Sequence, residues 1–157
     1  MAAEKRYVEQ FSRMQRWYER FKNIDEGTAH ERSSEEYTDN VYAFFQNCYH
    51  LKDWIKNDDT IKLPKGFDID RDFINKNPAM GLLADICNGT KHLKLAKERS
   101  NESPEFYSKN YSLTLGGQKA VVKVKWNIKT KSGNQDAFQL ATECVKKWEE
   151  FITKNIV

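Results

Sequence analysis

A mainly α fold, a four-helix up-down bundle with a β-hairpin inserted before the last helix, follows from three features of this sequence. Apolar residues recur in steps of three and four over four segments. The period switches to two between residues 111 and 128, and turn-forming residues separate the blocks. At 157 residues, with 39% hydrophobic and 31% charged, the chain suits one soluble domain, 1–157, that buries a core without staples.

The first helix, over residues 3–24, is predicted by Tyr7, Phe11, Met14, Tyr18 and Phe21 on one face. The polar stretch NIDEGTAHERS then breaks the pattern. Ser33 followed three residues on by Glu36 reads as a capping box that opens the second helix. Tyr37, Val41, Phe44, Cys48, Leu51 and Ile55 carry its core stripe, widened by Phe45, Tyr49 and Trp54. A long polar connection follows, with a short helical turn expected around Asp70 to Ile74. Asn77-Pro78 opens the third helix, which runs to about Lys97.

ERSNESPEFYSKN reads as a loop. After it come Tyr111, Leu113 and Leu115, a Gly116-Gly117 turn, and the alternating run from Ala120 to Ile128. That is a hairpin insertion over about 110–130, whose second strand carries a basic face with Lys123, Lys125 and Lys129. Lys131 to Asn134 turns the chain into a last helix bearing Phe138, Ala141, Val145, Trp148 and Ile152.

Cys48, Cys87 and Cys144 lie among apolar residues without a CxxC pair, so they read as buried thiols in a reducing, cytoplasmic setting. No apolar run reaches membrane-span length, so no membrane partner is expected. Cys48 and His50 point about 200° apart on a helix, and Cys87 and His92 about 140° apart, so no metal is expected. No glycine-rich phosphate loop or nucleophile elbow is present, and no cofactor is expected.

Chemistry concentrates in ADICNGTKHLKLAK, residues 84–97. Leu82, Ile86, Thr90 and Leu93 form the expected core stripe. Asp85, Asn88 and His92 share another, flanked by Lys91. Imidazole titrates near neutrality and can take a proton from a ribose hydroxyl, while Asn and Lys can hold a phosphate. The other reading of these residues is structural, with Asn88 and His92 bonded to a neighbouring loop and Asp85 orienting the imidazole. On the second helix His50 lies with Asn47 and Asp53, and antiparallel packing would turn it toward the His92 stripe.

The stretch Cys87-Asn88-Gly89-Thr90-Lys91-His92, near the end of the third of four helices, resembles the Arg-polar-x-x-x-His motif of the HEPN superfamily. Many members are metal-independent ribonucleases of prokaryotic defence or toxin–antitoxin systems, working as homodimers. The resemblance implies a homodimer with RNA or a protein as partner. It makes His92 the general base, with Asn88 and Lys91 on the phosphate and His50 assisting. Beside it, Asp85, Asp53 and Asn47 on the same helices are candidate binding residues, as are Lys123 and Lys125 on the basic hairpin face. Cys87 stands where the family places its arginine, which favours a non-catalytic or weakly active binding component over an active endoribonuclease. A further option is a single-stranded nucleic-acid binder using the basic hairpin with Tyr111 and Trp126.

Overall fold

The computed structural model describes residues 4–92, 97–115 and 120–156, the side chain of His92 excepted. Helix α1 spans Tyr7–Glu26, α2 Ser34–Asn57, α3 Pro78–His92 and α4 Ala137–Asn155, with a single π-helical turn at Asp70–Ile74. The strands are β1 Thr28–Ala29, β2 Glu105–Thr114, β3 Val121–Thr130 and β4 Gly133–Asp136. The chain is therefore mixed, helices with an antiparallel sheet, rather than mainly α.

All four α-helices form where the three-four rhythm places them. The Ser33 side chain accepts from the Glu36 N–H at 3.3 Å, as a capping residue should. The predicted turn at Asp70 to Ile74 is the π-helical one. Asp136 caps α4, accepting from the Gln139 N–H at 2.9 Å. The third helix is described only to His92. Residues 93–96 and the Gly116-Gly117 turn lie outside the described residues, and Lys97 is not helical.

The sheet differs more from expectation. β2 begins at Glu105, inside the segment read as a loop, and pairs with β3 along its length. Both ends of the other β3 edge are occupied, by β1 at Val121 and Val122 and by β4 from Asn127 to Thr130. Neither short strand carries an apolar alternation, because each is made by a free edge of β3 rather than by a buried face.

The core lies between this sheet and the helices. Val122, Val124, Trp126 and Ile128 of β3 are buried, and Trp126 meets Phe21 of α1 edge-on at 6.0 Å between ring centroids. The Trp148 indole N–H of α4 donates to the Cys48 carbonyl of α2 at 3.0 Å, so the largest core side chain leaves no buried polar atom unpaired. The three cysteines are free and buried, as their apolar surroundings predict. No helix among the described residues is long and apolar enough to cross a membrane.

Candidate functional site

Helices α2 and α3 run antiparallel. Tyr49 and Asp85 both lie near Arg99 at one end of their seam, Phe45 meets Cys87 in the middle, and Ala43 and Gly89 share a groove beyond. The seam is closed at its centre, where the Cys87 thiol donates to the Phe45 carbonyl at 3.1 Å. Burial pushes the Cys87 thiol well above its ordinary value, so it stays protonated.

Beside that contact lies a groove of about 1040 Å³. Asp39, Tyr42, Ala43 and Gln46 of α2 form one wall, and Ile86, Gly89 and Thr90 of α3 another. The chain from Glu98 to Phe106 closes the third side. Phe106 is held there by Tyr42, edge-on at 5.3 Å, and by Phe45 at 5.8 Å. Gly89 lines the groove without a side chain of its own.

The third wall is clamped from beneath by Asp85. Its carboxylate accepts from the Arg99 N–H at 2.8 Å, the Ser100 N–H at 2.9 Å and the Ser100 hydroxyl. Gly81, one turn earlier on α3, packs beside Ser100 at ordinary van der Waals distance. Asp85 is fully buried, so its place is under the loop and not on an exposed polar stripe with Asn88 and His92. The loop residues Asn101 and Ser103 take left-handed backbone at φ 57° and 45°, a cost that the bonds from Asp85 and from Ser103 to the Glu98 carboxylate offset.

A second clamp joins the same loop to α2. Asp70 accepts from the Arg99 guanidinium at 2.8 Å and from the Lys52 ammonium at 3.2 Å, and Lys52 also donates to the Tyr49 hydroxyl at 3.3 Å. Burial alone would push the Asp70 carboxyl up, but the Arg99 and Lys52 hydrogen bonds outweigh it and hold it below the usual range. Burial would likewise lower the Lys52 ammonium, and the neighbouring Tyr49, Asp53 and Asp70 instead hold it above. The sequence did carry a sign of this cluster. Lys52 follows Phe45 and Tyr49 on the widened apolar face of α2, and a cation there needs a buried partner.

The remaining predicted residues do not converge. His50 and His92 each lie five residues beyond the Phe45–Cys87 contact, in opposite directions, so about 15 Å separates them along the helix axes. His50 is exposed, as is Asp53, whose carboxylate lies 3.7 Å from Lys52. Asn47 faces α1 instead, where the Gln10 amide donates to its carbonyl at 2.9 Å and to its Oδ1 at 3.1 Å. Asn88 is half-buried, about 100° round α3 from Gly89, and its side chain makes no hydrogen bond to a described residue. Lys91 is exposed on the far side of the helix from the groove, and Thr90, expected in the core, is exposed too. The backbone of His92 follows Gly89 by three residues on the groove's flank. Its side chain, like Leu93, lies outside the described residues.

On the sheet, Lys123 is exposed, but Lys125 is paired with the buried Asp25 carboxylate at 2.7 Å. Trp126 is buried against Phe21, so it cannot stack on a base.

Comparison with protein-family models, curated proteins and solved structures gives no match. The groove's own chemistry is then the guide. Its described lining mixes apolar Tyr42, Ile86 and Phe106 with polar Gln46, Thr90 and Ser103, and every charged residue in it is an acid: Asp39, Glu98 and Glu105, with Asp85 buried beneath. Such a surface repels phosphate and attracts cations.

Proposed function

We propose that this chain is a non-catalytic, HEPN-like binding protein whose α2–α3 groove takes a basic, amphipathic segment of a protein partner. The single observation behind this reading is that, among the described residues, every charged side chain lining the groove is acidic, beside apolar Tyr42, Ile86 and Phe106. Apolar side chains of the partner would enter over Gly89 and between Tyr42 and Phe106, and Lys or Arg would meet Asp39, Glu98 and Glu105 at the rim.

Two observations support the non-catalytic half. The position that the HEPN motif gives to arginine is Cys87, which faces the core and spends its thiol on the Phe45 carbonyl. The backbone positions of His50 and His92, the residues offered for acid–base work, lie about 15 Å apart along an antiparallel seam. In this proposal the four α-helices are read as one up-down bundle carrying the sheet. The protein acts as a partner-binding component of a prokaryotic defence or toxin–antitoxin type system.

Isothermal titration of the full chain with a Lys/Leu amphipathic peptide, its Glu/Leu counterpart and a single-stranded RNA tests this. Binding of the basic peptide alone, weakened at least tenfold by Gly89→Leu, is the expected result. RNA cleavage that survives EDTA and disappears in His92→Ala would overturn it in favour of an active ribonuclease with His92 as base.

A further inference from the structure

The exposed large apolar side chains among the described residues are Tyr107, Tyr111, Leu113, Leu115 and Val121, and all five belong to the β2–β3 ribbon. Their concentration has a structural cause. Register pairs Leu113 with Val122, Tyr111 with Val124 and Lys109 with Trp126, so these β2 residues share the face on which β3 packs against the helices. The β3 members are buried and the β2 members from Lys109 on are exposed, α2 covering β2 only around Phe106. From Lys109 to Leu115 every residue is exposed on both faces.

β2 is also the terminal strand of the sheet, paired with β3 on one side and with no described strand on the other. An uncovered face and an open edge therefore lie together over seven residues. Natural sheets usually guard such an edge with charge, proline or a bulge. Here the only bulge falls between Phe106 and Ser108, ahead of the open part. Between Ser108 and Leu115 the only charge is Lys109, whose ammonium reaches back to the Thr38 hydroxyl at 3.2 Å and over the Tyr111 ring.

We propose that the β2 edge is a self-association site, where a second copy of this chain adds its own β2 antiparallel across a two-fold axis at Tyr111. The pattern of the strand is complementary to itself in that register. Tyr111 meets its copy on the dyad, and Leu113 lies opposite the aliphatic stem of Lys109 on the apolar face. On the other face Ser108 meets Thr114 and Asn110 meets Ser112, so no charge is buried and no polar side chain lacks a partner. The two Lys109 ammonium groups stand about 13 Å apart along the strands, beyond a Debye length in physiological salt. A shared edge also gives each copy the backbone hydrogen bonds that its open strand lacks. The site is independent of the groove and of any catalytic reading.

The test is the mass of the full chain in solution, by sedimentation equilibrium over a hundredfold concentration range. Tyr111→Lys places two cations opposite each other and should weaken dimerisation at least tenfold while leaving circular dichroism unchanged. In the same background Tyr111→Cys, alone on the dyad, should cross-link to its copy under mild oxidation, whereas Lys123→Cys on the opposite face should not. A chain that is monomeric throughout overturns the proposal. So does a dimer that keeps its affinity in Tyr111→Lys, which would place the interface on the helices, or a β2 edge that binds only heterologous peptides.

Discussion

The thiol of Cys87 and the carbonyl of Phe45 meet at 3.1 Å in the middle of the α2–α3 seam, and both residues are buried. That contact fixes the side of α3 on which position 87 lies. An arginine there would enter the core beneath the aromatic face of α2, where the described contacts of position 87 are the Phe45 carbonyl and Cys144. Cys87→Arg should therefore destabilise the chain by about 3 kcal/mol or more, as an unpaired buried charge does, and confer no RNA cleavage. Thermal unfolding by circular dichroism together with an RNase assay checks both halves; a stable, RNA-cleaving variant would refute the placement.

Asp85 holds the loop that walls the groove. Asp85→Ala leaves the Arg99 and Ser100 N–H groups without their acceptor, at a cost of about 3 kcal/mol. Because the wall from Glu98 to Phe106 hangs on that loop, peptide affinity should fall even at temperatures where the variant is folded. Amide exchange at residues 99–102 would rise first.

Asp70 makes stability depend on acidity in a stated direction. Its carboxyl is held below the ordinary range by Arg99 and Lys52 against the opposing effect of burial. A depressed native value means the unfolded chain binds the proton more readily. The stabilising contribution is therefore whole above the unfolded value near 4, and is lost as pH falls through the native one. Denaturant titrations from pH 7 to pH 2 should show a shallower acid loss in Asp70→Asn than in the parent. The variant should start lower at pH 7, because Lys52 and Arg99 lose their shared anion.

The two lysines proposed for nucleic-acid contact should separate cleanly. Lys125 pairs with Asp25, which is 4% exposed, so Lys125→Ala strands a buried carboxylate. Allowing for the partial exposure of the lysine, the loss should be about 2 kcal/mol. Lys123 is exposed, and Lys123→Ala should stay within about 0.5 kcal/mol of the parent. Equal effects of both on RNA affinity, with a steep salt dependence, would revive the basic hairpin as a nucleic-acid surface.

The sequence by itself determined the four α-helices, a short helical turn at Asp70–Ile74, though not its π-helical form, and the alternating part of the β2–β3 pair. Each of these announces itself locally, through a three-four rhythm, a capping residue or an alternation that the element's own burial requires. It also determined that the cysteines are core residues, since thiols among apolar neighbours are buried with them. What it could not determine was anything made by partners distant along the chain. β1 and β4 exist because β3 offers a free edge at each end, and their own residues carry no pattern of a strand. Asp85 looked like a member of a polar stripe because helical periodicity shows which residues share a side, not which loop folds over that side. The antiparallel seam of α2 and α3 was legible. The register of that seam was not, and the register is what carries His50 and His92 apart and opens the groove over Gly89. Register is set by how Phe45 and Cys87 pack, a contact across 42 residues that no local signal encodes.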